Sequence, residues 1–585
     1  MDELYLQVYS NPICGMISAP LETLITLFNI KYYEYSDVCL IFVLKPERRP
    51  SFNVKATSFV FDFVTEIEEN NVARMCRLPA IVTSDGSMSV TGLCAVLRQL
   101  VKRTVEKRTE DRCHSLLGFR EGCLMACAEA SIWTRFCEVD IVKSVNDLVW
   151  RNNSSTLVTI PEDVARFEIH MNQPLRIHNI KKRNQDLINS RRKMIGIENV
   201  QEKSKNTLGH NVGLELDHVY AEGPAMTLAD IILFPCFHII LQTIRSVYLQ
   251  PYIPLTMQWY EHMKLQEGIE ESLMIIGDVE NKVEDELYVK YIFPDVPNKS
   301  LYKSDPKRYK PKSRQFTRQE DIEMSLKVIN DLGVKVEWQL YPYGYELEFD
   351  WSAVPFEAHP EGGQLPAARM ERKSQQLENL AKAVLKVARP GHTIVDFCSG
   401  SGHLGIVLAY FLPRCHIILL ENKEESLSRA RQRVSKLKLT NVTFYQCNLD
   451  YFCGEFDIGT SLHACGVATD LVIQQCIGQN AVFICCPCCY GSVQNNHVVT
   501  YPRSQFLRDS TMTVHEYLVL GHAADQTHDE CNAKTDQGKL CMGIIDMDRC
   551  LHAKEAGYTV SLAKLIPETC TPKNNLLVGI PHNWY

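Results

Sequence analysis

The residues best suited to chemistry lie between positions 393 and 491. The stretch "TIVDFCSGSGHLG" (393–405) sets Asp396 and Cys398 ahead of Gly400, Gly402 and Gly405. Glycines there remove the Cβ atoms that would keep a nucleotide-like ligand off the main chain. A helix starting behind them aims unpaired N–H groups at whatever lies over the loop. Glu421 follows about 25 residues after Asp396, at the end of "CHIILLENK". A carboxylate at that point can accept hydrogen bonds from both hydroxyls of a ribose. Asn448 and Asp450 close "VTFYQCNLDY", where they could read an adenine edge. Two further stretches, "SLHACGVATD" (461–470) and "CCPCCYG" (485–491), supply His463, Cys465, Pro487, Cys488 and Tyr490. A histidine titrates near neutrality and can take up a proton. A tyrosine ring can stack on a flat base. The paired cysteines are too close together for a C-x2-C knuckle and no second paired motif follows, so no metal is expected and the thiols are read as packing.

Such a set converges only if parallel strands deliver it to one edge of a sheet. From about residue 331 the chain alternates strand-like and helical patterns, which implies a parallel sheet. Strand-like runs enter at "TIVDF", "CHIILLENK", "VTFYQCNLDY", "FDIGTSLHACG" and "NAVFICCPCCYG". "GYTVSLAKLIP" and "NLLVGIP" finish the chain as a hairpin, adding one antiparallel strand. In open sheets of this kind ligands bind beyond the carboxyl ends of the strands, where all the residues above would meet. Asp546, Asp548 and Arg549 lie between the fifth and sixth strands and read as a fixed ion-pair corner rather than a substrate clamp.

This succession resembles the class I S-adenosylmethionine-dependent methyltransferases, with five parallel strands, a glycine loop after the first, an acid after the second and a terminal hairpin. The resemblance implies an α/β, Rossmann-like domain with a seven-stranded, mostly parallel sheet over 331–585. It also implies S-adenosyl-L-methionine as cofactor, held by Asp396, Cys398, Gly400, Gly402, Gly405, Glu421, Asn448, Asp450 and His463. Arg372, Lys373 and Gln376, on the helix before the first strand, would reach the donor's carboxylate. "H-x-C-G" at His463 and "C-C-Y" near Tyr490 are similar to loops of a subgroup that includes a tRNA 2′-O-methyltransferase family. On that likeness His463 and Tyr490 are the catalytic candidates, and Cys465, Pro487, Cys488 and Tyr490 would line the substrate. A dinucleotide-dependent dehydrogenase shares the first two motifs but not the hairpin ending.

The preceding residues divide differently. "LPAIVTSDG" (78–86) and the helix after it resemble the thioredoxin-like domain of glutathione transferases, in which Leu78-Pro79 would be the cis-proline position. The "T-x-A-D" start of "GPAMTLADIILFPCFH", at Thr227 and Asp230, marks that family's helical domain and is spaced for a capping box. The expected divisions are a thioredoxin-like domain over 1–105, an all-helical domain over 106–285 and a linker over 286–330. The Glu/Gln-Ser pair that holds glutathione is replaced by Gly92-Leu93, so conjugation is disfavoured and a module that positions a substrate or protein partner is expected.

At 585 residues the chain needs several cores, and its 62 Lys and Arg against 70 Asp and Glu argue against broad coating of nucleic acid. Two local basic clusters, 181–193 and 303–318, leave room for an RNA substrate. No apolar run spans a bilayer, no signal peptide opens the chain, and its 23 scattered cysteines suit a reducing compartment, so a cytoplasmic address without membrane contact is expected. The main alternative is an interaction scaffold that has kept two enzyme folds.

Overall fold

A computed structural model describes residues 1–46, 50–108, 112–150, 157–175, 218–244, 246–277, 290–302, 318–363, 365–527 and 533–584. Two compact units emerge. One comprises Met1–Ile67 with Leu93–Tyr309, the other Glu68–Gly92 with Lys310–Tyr585. No helix among the described residues is long and apolar enough to cross a membrane.

In the first unit Asp2–Val8, Val38–Leu44 and Phe61–Val64 form a parallel set, with the buried helix Leu21–Tyr33 crossing between the first two. The remainder is mainly helical. Its centre is Leu228–Thr243, apolar on every side and therefore buried on every side. The expected capping box forms, with Asp230 Oδ2 accepting from the Thr227 N–H at 2.8 Å. Asp230 Oδ1 is taken as well, by Ala221 N at 2.7 Å and Trp259 Nε1 at 2.9 Å, so this buried carboxylate is fully engaged in holding the fold.

The second unit carries the candidate site. Its sheet contains β1 (Thr393–Phe397), β2 (His416–Leu420), β3 (Val442–Gln446), β4 (Ile458–Cys465), β5 (Val482–Cys488), β6 (Tyr558–Lys564) and β7 (Asn575–Pro581). Their order is β6-β7-β5-β4-β1-β2-β3. All pairings from β3 to β5 are parallel, and β7 runs antiparallel between β5 and β6, as the terminal hairpin requires. Helices cover the sheet, so β1 and β5 are buried along nearly their whole length and read as continuous apolar runs. The principal ones are α1 (Ala367–Val387), α2 (His403–Phe411), α3 (Glu424–Leu437), α4 (Val467–Gln479), α5 (Val514–Ala524) and α6 (Ala533–Glu555). On α1, Leu377, Leu380, Ala381, Val384 and Val387 recur at helical spacing and are the buried face.

Two expectations need correction. The sheet does not stop at β3. A hairpin of Ala80–Val82 and Met88–Thr91, drawn from the residues assigned to the first domain, continues it, with Met88, Ser89 and Val90 pairing in parallel with Phe444, Tyr445 and Gln446. Arg431 on α3 fastens the hairpin turn through Asp85 at 2.7 Å. An edge strand presents unpaired N–H and C=O groups, and the hairpin satisfies those of β3. The boundary at 105 therefore misassigns residues 68–92, which cluster with the C-terminal unit. Nor is 286–330 a plain linker: Lys290–Ile292 pairs with Leu157–Thr159, and Gln319–Asp331 is a helix that packs on α5.

Candidate active site

The glycine loop leaves β1 at Phe397 and enters α2 at His403. Cys398, Gly400 and Gly402 all have positive φ, at 54°, 57° and 72°. Gly405, one turn into α2, donates its N–H to Asp396 Oδ2 at 2.9 Å. A Cβ on Gly405 would stand 2.0 Å from Leu419 Cδ2, so this glycine exists for close helix–sheet packing. Gly400 has the opposite character. Nothing lies within 4 Å of where its Cβ would be, and its N–H is held by Glu421 Oε2 at 2.8 Å. Glu421 also accepts from Lys423 N at 2.9 Å through Oε1, which fixes the carboxylate at the end of β2 with lone pairs to spare. Arg433 on α3 braces the loop from behind, donating to Ser401 O and Glu357 O at 2.9 Å each. No sequence signal marked Arg433, because its partners are carbonyls and carry no side-chain identity.

Burial pushes the Asp396 carboxyl up to about 7, against the Gly405 N–H and the Lys373 ammonium, which favour its charge. Burial lowers Lys373 from its ordinary range, while Asp396 pulls the other way. The Lys373 amine on α1 thus sits in the electrostatic reach of Asp396 and His463 alike. Gln376, its neighbour one turn on, is already committed to the Cys570 carbonyl and to His463, and Arg372 is exposed. Of the three α1 residues expected near the donor, Lys373 alone remains.

Beyond β3, Asp450 Oδ2 meets His497 Nε2 at 3.0 Å. Asp450 Oδ1 is buried and has no hydrogen-bond partner among the described residues, and the same holds for Ser399 Oγ in the glycine loop. A buried oxygen left without a donor costs free energy unless a ligand supplies one. Asn448 immediately precedes the short helical turn Leu449–Tyr451 that presents Asp450. An open glycine, a ribose-competent carboxylate and an orphaned acceptor at successive strand ends fit a nucleoside. The His497 contact was not read from the sequence, because that residue lies in a loop with no pattern of its own.

The other side of the edge departs from expectation. His463 sits at an irregularity in the β4–β5 register between Leu462 and Cys465, with φ of 69°. Its Nε2 meets Gln376 Oε1 at 2.8 Å. The Gln376 amide nitrogen is used on a carbonyl, so the oxygen faces the ring, Nε2 carries the proton and Nδ1 keeps a lone pair. Burial, with the Lys373 charge adding to it, drives His463 down to about 4. A titration near neutrality is therefore corrected: this is a neutral imidazole at physiological pH.

Tyr490 is also corrected. It is wholly buried, its hydroxyl donates to Asp546 Oδ2 at 2.6 Å, and Arg549 lies over its ring at 5.5 Å, so no face is left for a base. Asp546 further accepts from Asn575 Nδ2 at 2.6 Å, and Arg549 bridges Asp546 and Asp470 at 2.9 and 2.6 Å. Asp548 accepts from the Arg503 and Ser504 main chain at 2.7 and 2.9 Å. The expected ion-pair corner is real, and Tyr490 is part of it. Pro487 is buried within β5, and Cys488 is buried beside it. Only Cys465 and the half-buried Cys489 of this group reach solvent. Their sulfurs converge: Cys465 Sγ lies 3.2 Å from Cys488 Sγ and 3.3 Å from Cys489 Sγ. The basic clusters cannot be placed on this surface, since 181–193 and, except for Arg318, 303–318 lie outside the described residues.

Comparison with known proteins decides the family. A curated relative from Drosophila pseudoobscura pseudoobscura is 44% identical over 86% of this chain and 85% of its own, and a human one is 33% identical over 96% of each. Both are glutathione S-transferase C-terminal domain-containing proteins. The chain belongs to that family. In this member, residues 371–496 match a family model described as a methyltransferase domain. That span runs from α1 through β5 and so contains every residue of the glycine loop and the Glu421–Asp450 side. Over 63 residues, 11% of this chain and 28% of its counterpart, the chain is 35% identical to ribosomal RNA small subunit methyltransferase G of Thermotoga sp. (strain RQ2).

Proposed function

We propose that the carboxyl edge of β1–β4 binds S-adenosyl-L-methionine and that the protein transfers its methyl group to an RNA nucleotide. The observation that carries the proposal is the cradle: an open Gly400 held by Glu421, with the buried Ser399 Oγ and Asp450 Oδ1 lacking partners among the described residues. Glu421 would take the ribose hydroxyls, Asp450 with Asn448 the adenine edge, and Lys373 the methionine carboxylate. When bound, the sulfonium supplies an electrophilic methyl group that needs alignment with a nucleophile more than acid–base assistance. Lys373 places positive charge where a carboxylate would lie. His463 offers Nδ1 as a fixed, neutral acceptor that orients a donor group of the substrate, held in place by Gln376.

The methyltransferase domain match supports the reaction class. RNA as substrate rests on the "H-x-C-G" and "C-C-Y" loops, the basic clusters and the segment shared with a ribosomal RNA methyltransferase. The glutathione-transferase-like half would serve as a module that positions substrate or partner. A labelled-methyl assay on RNA from cells lacking the protein tests this. Incorporation into RNA that disappears with Glu421→Ala is expected. Label in protein instead of RNA would overturn the substrate, and donor binding without transfer to any fraction would favour the scaffold.

A further inference from the structure

Cys465 belongs to the "H-x-C-G" loop used for the RNA reading, but the convergence of its thiol with those of Cys488 and Cys489 depends on none of that reading. Neighbouring residues of a regular strand point to opposite faces, so Cys488 and Cys489 should not approach a common partner. They do because the chain turns left-handed at Cys489, with φ of 52°, as it leaves β5. Cys465 is brought opposite by strand pairing, as the register partner of Cys488 at the end of β4. A second left-handed residue, His463, lies two positions earlier at the β4 irregularity. Non-glycine residues in this region are strained and persist where the surrounding structure over-determines the backbone. Here two such turns aim three sulfurs at one point, all within 4.8 Å of one another.

We infer that Cys465, Cys488 and Cys489 form a zinc site of three thiolates with an exchangeable fourth position. Zinc accepts sulfur ligands at about 2.3 Å in tetrahedral array, which sets thiolates about 3.8 Å apart. The observed 3.2 and 3.3 Å separations need only small side-chain rotations to open to that span, and they are well beyond a disulfide bond. No fourth His, Cys, Asp or Glu among the described residues joins the group. Three protein ligands plus an open place is the arrangement of exchangeable rather than closed structural zinc sites. An iron–sulfur cluster would want four cysteines. The exposed Cys465 gives the ion a route in from solvent. Cys485 and Cys486, buried in the body of β5, take no part. Spacing rules miss the site because its third ligand comes from 23 residues upstream.

The test uses the full chain, purified under reducing conditions and dialysed against a weak chelator, with zinc measured by elemental analysis. About one zinc per chain is expected in the wild type. Cys465→Ser and Cys489→Ser should lower zinc retention at least about tenfold. Cys453→Ser, an exposed cysteine outside the group, should retain it. Because Cys465 is exposed, its variant should keep the circular dichroism and melting profile of the zinc-free wild type, which separates ligand loss from misfolding. Cobalt titration of the zinc-free wild type should give thiolate charge-transfer and tetrahedral visible bands that free imidazole perturbs through the open position. Failure of the reduced wild type to bind zinc stoichiometrically, copper in its place, or retention unchanged in both serine variants would overturn the assignment.

Discussion

The two halves of the sheet's carboxyl edge are built on different principles. From β1 to β3 the polar groups are held in place yet left with capacity: Glu421 carries two main-chain donors and still has lone pairs, and Asp450 Oδ1 has none of its own. From β4 to β5 most polar groups are consumed, His463 Nδ1 and the three thiols excepted. His463 is tied to Gln376, and Tyr490 to Asp546 within a buried cluster of Asp470, Asp546 and Arg549. The first half keeps hydrogen-bonding capacity, and the second is largely a packed wall beside it. A conspicuous residue type at a strand end is therefore weak grounds for a role, and spare hydrogen-bonding capacity is better.

The sharpest way to break that contrast is Tyr490→Ala. A wall residue should destabilise the protein by about 3–5 kcal/mol on removal, read by denaturant unfolding. A substrate-stacking residue would instead leave stability intact and raise KM. Asp450→Ala should do the reverse, weakening S-adenosylhomocysteine binding about tenfold, ~1.4 kcal/mol, with little change in unfolding. The next effect is in pH. Asp396 has its folded value raised from 3.8 to about 7, so the stability it contributes is complete below the lower value and is lost as pH rises through the upper one. Relative to Asp396→Asn, the ligand-free wild type should lose melting temperature over that interval, and parallel curves would count against a buried neutral carboxyl. The smallest change is expected from His463→Asn. With His463 near 4 rather than 6.5, the pH–rate profile should keep its shape, and a limb near 6.5 that vanished in the variant would restore a general-base role.

The sequence exposed the first half of the edge and misled about the second, for a physical reason. Glycine spacing and an acid at the next strand's end are local features, so the open turn at Gly400, the packing glycine Gly405 and the Glu421 carboxylate that holds Gly400 N–H stand at the strand ends where the pattern put them. Whether Tyr490 faces a cleft depends on Asp546 and Asn575, which are 56 and 85 positions away and reach it only through the folded sheet. The same limit hid the hairpin at 80–91, whose pairing with β3 crosses more than 350 residues of chain. The Thr227–Asp230 box, being local, was legible, and cis geometry at Leu78-Pro79 followed from the resemblance to glutathione transferases.

The proposed reaction depends on the glycine loop and Glu421 holding the methyl donor. Isothermal titration of S-adenosylhomocysteine into the full chain tests it most directly. One saturable site in the wild type, weakened at least about tenfold in Glu421→Ala, is the predicted result. A wild type that gives no binding heat and no thermal shift, or a Glu421→Ala variant that binds as well as the wild type, would contradict the account.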